Sequence, residues 1–231
     1  GRALPFDAVV VPHENQGDYF VRCGVPRESV HVLGSARFSG EWVRRNLAIS
    51  PPLSFESGPR APGSLRIVMM DKPTANLTGA VGEAITAIAS RANFELVVRP
   101  ATRNESTTLA TFPANVRVSR DSSAKLIEWA DVVIGTTSSI LFEPLIQGKP
   151  LVCPMHFTGL ATVFTDEGAA IVVHSTAELI ATLERLAAKR DAPRSASRAI
   201  EGLLARAVGP DDRTLDRYQA LLAGLARTAR A

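Results

Sequence analysis

Cysteine is scarce in this chain of 231 residues, which has Cys23 and Cys153 and no others. The two lie far apart in apolar sequence and make neither a disulfide framework nor a metal motif. They read as buried thiols in a reducing compartment, the cytoplasm. Aromatic residues are few as well, at 6%. None interleaves with basic residues as a nucleic-acid surface requires, so no nucleic-acid partner is expected. No apolar run approaches the length of a membrane-spanning helix, and the first residues do not form a signal peptide. A His/Cys/Asp/Glu cluster at metal-ligand spacing, a nucleophile elbow and a Cys–His pair are all missing. So are a glycine-rich dinucleotide fingerprint and a P-loop, which weakens NAD and ATP readings and leaves no prosthetic group or metal expected.

What is present is ordinary in bulk: 45% hydrophobic and 21% charged residues, enough for one large core or two small ones. The formal charge of +3 is unevenly placed. From Glu184 onward ten Arg or Lys accompany six Asp or Glu, and the rest of the chain is close to neutral. A basic closing segment suits peripheral contact with anionic lipid at the inner face of a membrane, or with a polyanionic glycan. The interleaved acids favour a plainly solvated, Arg-rich helix face.

Residues 8–12 read as a buried strand, 16–23 as a short helix stopped by Gly24 and Pro26, and 30–33 as a second strand. That is one βαβ unit within 1–50, followed by a helical patch at 41–47. Residues 51–64, rich in Pro, Gly and Ser, read as a linker or mobile loop. Regular alternation follows. Strands are expected at 65–70, 94–98, 116–119, 132–134, 151–153 and 169–173. Helices are expected at 79–92, at 122–130, and from a Ser175/Glu178 capping box to about residue 188, with two more helical patterns closing the chain. Residues 65–231 therefore predict an α/β fold: a doubly wound parallel sheet, Rossmann-like, with C-terminal helices.

The chemistry concentrates at 130–154. An apolar strand ends at Gly135, four small hydroxyl residues follow (Thr136, Thr137, Ser138, Ser139), and a helical segment carrying Glu143 runs to Gly148 and Pro150. A strand's carboxyl end meeting a helix start is where open α/β sheets bind anions. One hydroxyl suffices to cap a helix, so four in a row point to a phosphate ligand. Glu143 lies where a carboxylate reaches a ribose diol; otherwise it is an exposed helix residue or a partner for Lys149. Pro144 is odd in a helix, where it removes a hydrogen bond. Asp71, Lys72 and Asn76, after the strand at 65–70, lie at the same sheet edge, and Arg99 ends another strand there, suited to phosphate. His156 belongs to a loop (155–159) able to close over a base or sugar. His13 and Glu14 follow the first strand, on the other half of any cleft, and are the acid–base candidates. An exposed turn explains them at least as well.

The stretch AspValValIleGlyThrThrSerSerIleLeuPheGluProLeuIleGlnGlyLysPro (131–150) resembles the donor-binding segment of GT-B type glycosyltransferases. Its flavour is that of CDP-glycerol glycerophosphotransferases and related surface-carbohydrate proteins; UDP-N-acetylglucosamine 2-epimerases share the architecture. A second match is 7–38, with Gly24-Val25-Pro26 and then Val32-Leu33-Gly34-Ser35-Ala36-Arg37-Phe38, which resembles the phrase ending the N-terminal domain in these families.

The resemblance implies a nucleotide-diphosphate donor (UDP-, CDP- or GDP-linked) on a C-terminal GT-B domain, with a glycan or lipid-linked acceptor across an interdomain cleft. It implies that Thr137, Ser138 and Ser139 meet phosphates and Glu143 the ribose, and that residues 1–50 end a larger N-terminal domain. Arg99-Pro100 stands where the glycerophosphotransferases carry His-Pro. Met70-Asp71-Lys72-Pro73 stands where the epimerases carry a His-containing motif. Expected, then, is a metal-independent transferase of glycosyl or alditol-phosphate groups in cell-envelope polysaccharide synthesis. The alternatives are a non-catalytic nucleotide-sugar-binding module or truncated donor domain, and an enzyme like the UDP-sugar 2-epimerases.

Overall fold

The first strands of the chain are short. In the computed structural model, which describes residues 6–55, 58, 62–70, 78–100, 113–189, 197–209 and 213–228, β1 (Val9–Val11) pairs in parallel with β2 (Val30–Val32). Helix α1 (Glu14–Arg22) connects them, and Val11, Val25 and Val30 form their buried core. Gly17 lies on the inner side of α1, where an added Cβ would stand 3.3 Å from Val30 Cγ1. Helix α2 (Gly40–Ile49) follows. By contacts the chain divides into two compact units, Gly1–Ala48 with Glu201–Ala231, and Ile49–Ile200.

In the second unit β3 (Leu65–Met70), β4 (Phe94–Arg99), β5 (Arg117–Val118), β6 (Val132–Gly135), β7 (Leu151–Pro154) and β8 (Ile171–Val173) form one parallel sheet in the order β5-β4-β3-β6-β7-β8. The central strands are apolar at nearly every position because both faces are covered. On one face lie α3 (Thr78–Ala89), the short α6 (Met155–Thr158) and α8 (Thr176–Ala188), whose Ile85, Ile88, Leu179 and Leu183 are fully buried against Ile67, Leu96, Ile134 and Val173. Each such side chain contributes about 1.5–3 kcal/mol by leaving water. Helix α4 (Ser123–Trp129) packs on β3, with α5 (Phe142–Ile146) beside it. The short α7 (Val163–Asp166) precedes β8. Winding is therefore double, as the alternation predicted.

Four local features differ from the sequence reading. Residues 50–55 are not a free linker: Ser54 N and Oγ each donate to Asp121 Oδ2 at 3.0 Å, and the Phe55 ring meets Trp129 at 5.6 Å. Residues 155–158 make a helical turn, ended by Gly159 in the left-handed region, φ 64°. Cys23 is exposed, because it falls at the C-cap of α1; Cys153 is buried. Finally, α9 (Arg198–Ala207) and α10 (Thr214–Thr228) supply residues of the first unit. There Val208 O accepts from Ser35 N, Glu41 Oε2 from Leu215 N, and Gly34 O from the Tyr218 hydroxyl. Gly34, φ 87°, is required at that join, since a Cβ would stand 2.8 Å from Val208 O.

Candidate functional site

Strand order reverses between β3 and β6, so the crevice at their carboxyl ends is the topological switch point, where open α/β sheets bind ligands. Register aligns three strand ends there: Met70 pairs with Arg99 on one side and Gly135 on the other. The hydroxyl turn leaves β6 at this edge. Gly135 permits the turn's tight return, because a Cβ would stand 2.5 Å from Leu141 Cδ2, a fully buried side chain.

The turn runs into a 3₁₀ segment, Ser139–Leu141, and then into α5, only five residues long. Ser138 is the cap of the 3₁₀ segment; its Oγ accepts from Ile140 N at 3.4 Å. The hydroxyls of Thr136, Thr137 and Ser139 make no hydrogen bond among the described residues. Mutual bonding within the turn therefore does not explain them. Pro144 sits in the first turn of α5, where an N–H has no helical partner to lose, so it fits without a kink.

Glu143 is 5% exposed, which removes the exposed-helix reading. Gln147 Nε2 donates to its Oε1 at 3.3 Å. Lys149 donates to Glu128 O at 3.0 Å and to Ala130 O at 2.8 Å at the end of α4. The charge of Glu143 reaches Arg99: burial lowers the Arg99 pKa and the neighbouring carboxylate opposes that shift. Arg99 Nε donates to Asp121 O at 3.2 Å, while its two terminal amino groups have no bond among the described residues. The register puts Arg99 and the hydroxyl turn at one sheet edge. A guanidinium fork anchored at Nε, with terminal amino groups unbonded among the described residues, suits bidentate contact to phosphate.

His156, on α6 beyond β7, has both ring nitrogens buried with no hydrogen-bond partner among the described residues, its ring 4.7 Å from that of Phe157. Asp71, Lys72 and Asn76 lie outside the described residues. His13 and Glu14 are in the first unit. His13 caps α1, Nδ1 accepting from Gln16 N at 3.3 Å, and Glu14 pairs with Arg27 at 3.1 Å in solvent. An apolar cavity of about 430 Å³ in the same unit is lined by Phe6, Ala8, Val9, Phe20, Cys23 and Val25. That lining offers a phosphate no charge. Among the described residues no cluster of metal-ligating side chains occurs, and no helix is long and apolar enough to cross a membrane. Sequence reasoning missed Asp121, whose signal was the hydroxyl-rich Ser119-Arg120-Asp121-Ser122-Ser123 run before a helix.

No family model and no curated protein matches the chain by sequence. Solved structures do match by fold. The calicheamicin glycosyltransferase CalG4, 18% identical, aligns over 95% of this chain and 55% of its own with a TM-score of 0.52. The wall teichoic acid polymerase TagF, 12% identical, aligns over 97% and 59% with a TM-score of 0.61. UDP-GlcNAc 2-epimerase from Methanocaldococcus jannaschii, 13% identical, aligns over 94% and 62% with a TM-score of 0.62. The chain spans less than two thirds of the length of each. A parallel six-stranded sheet flanked by helices, shared with these glycosyltransferases and epimerases, gives this chain the Rossmann-like α/β fold of the GT-B proteins.

Proposed function

We propose that the chain binds a nucleotide-diphosphate donor at the crevice between β3 and β6, as the donor half of a transferase of glycosyl or alditol-phosphate groups. The observation that carries this reading is the turn itself: three hydroxyls without a described partner at the switch point, on the same sheet edge as an anchored arginine. Thr136, Thr137, Ser138, Ser139 and Arg99 contact the diphosphate, with Lys72 and Asn76, which follow β3 in the sequence. Glu143 faces the ribose and His156 the base or sugar. A departing diphosphate is stabilised by fixed cations and hydroxyls, which needs no metal. The acceptor is a glycan or lipid-linked saccharide, and His13 and Glu14 are the acid–base candidates toward it.

Isothermal titration with UDP, CDP and GDP tests the reading: one of them binds with measurable heat, and silence from all three sinks it. A second reading, epimerisation of a UDP-sugar, is favoured by the M. jannaschii epimerase among the fold matches. Incubation with UDP-GlcNAc separates the two, because interconversion of the sugar without an acceptor belongs to the epimerase reading alone.

A further inference from the structure

Arg99 does not hold its pose by itself. Its Nε–H is tied to a backbone carbonyl, Asp121 O, in the segment between β5 and α4. That segment is fastened on both sides. Ser119 N donates to Val98 O at 3.0 Å, continuing the β4–β5 ladder to the residue before Arg99. Asp121 N donates to Ser119 Oγ at 3.1 Å. From outside, residues 50–55 lie over it as a strap. Ser54 donates twice to Asp121 Oδ2, Ser50 Oγ and Ser122 Oγ are 3.0 Å apart, and the Arg117 guanidinium sits 4.0 Å from the Phe55 ring centroid.

We propose that Asp121 is a positioning residue for Arg99: its carboxylate, clamped by the strap of residues 50–55, fixes the carbonyl that aims the guanidinium at the switch-point crevice. A loop carbonyl without that clamp samples several positions, and a long side chain bonded to it loses its single orientation. The strap is the stretch of chain that follows Ala48, the last residue of the first unit's N-terminal segment. The aim of the phosphate-binding arginine therefore depends on how the connecting chain is seated. This inference rests on the donor-site reading for its ligand but not for its geometry.

The test has a ligand-free arm and a binding arm. In the whole chain labelled with ¹⁵N, the Arg99 Nε–H signal, assigned by its loss in Arg99→Lys, is expected to be shifted from the free-arginine position and slow to exchange with water. Asp121→Ala collapses it toward the free position. Asp121→Asn, whose amide oxygen still accepts from Ser54, restores it, and Ser54→Ala, at an exposed residue, weakens it without threatening the fold. An Arg99 signal unchanged in both Asp121→Ala and Ser54→Ala overturns the proposal. In the binding arm, Asp121→Ala lowers affinity for UDP, CDP or GDP by about threefold to tenfold, as coupled neighbours do. Asp121→Ala adds no further loss in an Arg99→Ala background. Additive losses overturn the proposal, since Asp121 would then act independently of Arg99. If no nucleotide binds the wild type while the Nε–H signal responds as stated, the donor reading has failed and the positioning relation stands.

Discussion

A carboxylate as buried as Glu143 is held by its neighbours, and here Gln147 supplies a hydrogen bond while Arg99 lies within reach of its charge. Removing one partner of such a group leaves the other without compensation. The same logic separates the two thiols. Burial pushes the Cys153 thiol up to about 12, leaving almost no thiolate at neutral pH, whereas Cys23 is exposed. A thiol-disulfide reagent is expected to modify Cys23 in the native protein and Cys153 only after denaturation; fast native labelling of both contradicts the packing of β7. Asp121 sets a pH dependence. Burial works to raise its pKa, but hydrogen bonds from the Ser54 N–H and from the Ser119 and Ser54 hydroxyls outweigh it and hold the carboxyl below its ordinary value. A carboxyl depressed on folding adds stability above its unfolded pKa, and that stability is lost as pH falls through the folded value. The strap's bond to Asp121 is therefore intact at neutral pH and released only in acid below the ordinary carboxylate range, readable as acid-induced exchange of the Ser54 amide. Asp121→Ala abolishes that pH response. At this scale the sequence was least legible: the cap that His13 makes on α1 and the ion pair of Glu14 with Arg27 are partners that residue types alone do not announce.

Among the elements, the strands were the most legible and the turns the least. β3 and β6 are apolar at almost every position because helices cover both faces, and such runs announce themselves without a structure. Helix α8 was equally plain, since Ser175 Oγ accepts from Glu178 N at 3.1 Å and the Glu178 carboxylate accepts from His174 N at 2.7 Å. The helical segment expected after the hydroxyl turn is a 3₁₀ turn followed by a five-residue α-helix. Leu141 there packs close against the Gly135 backbone, a contact that no local propensity encodes. Gly135→Ala forces a methyl group to 2.5 Å from Leu141 Cδ2. Overpacking of that kind costs about 1–3 kcal/mol. Urea unfolding is expected to show the loss, and nucleotide affinity to fall with it as the turn shifts; a neutral substitution contradicts the close approach. Residues 50–55 were misread for a related reason. Pro and Ser suggest a linker, but Phe55 finds Trp129 and the serines find Asp121 and Ser122, partners more than sixty residues away.

For the whole molecule, amphipathic periodicity located the closing helices but not the surface they cover. α10 and the end of α9 bond to Gly34, Ser35 and Glu41 in the first unit, although in sequence they follow the sheet of the second. The double winding of the sheet was legible, because parallel strands joined by short crossovers leave few topologies, whereas the strand order that sets the switch point is seen in the structure. On the proposed reading, the hydroxyl turn at that switch point holds the donor's phosphates. Calorimetric titration of the best-binding nucleoside diphosphate against wild type and Thr137→Val/Ser139→Ala tests it most directly. Neither hydroxyl has a described partner in the fold, so the melting temperature stays where it is. Each lost bond to a charged phosphate removes about 1.5–3 kcal/mol, so affinity falls by at least about a hundredfold. Unchanged affinity in the double variant would put the diphosphate elsewhere on the molecule.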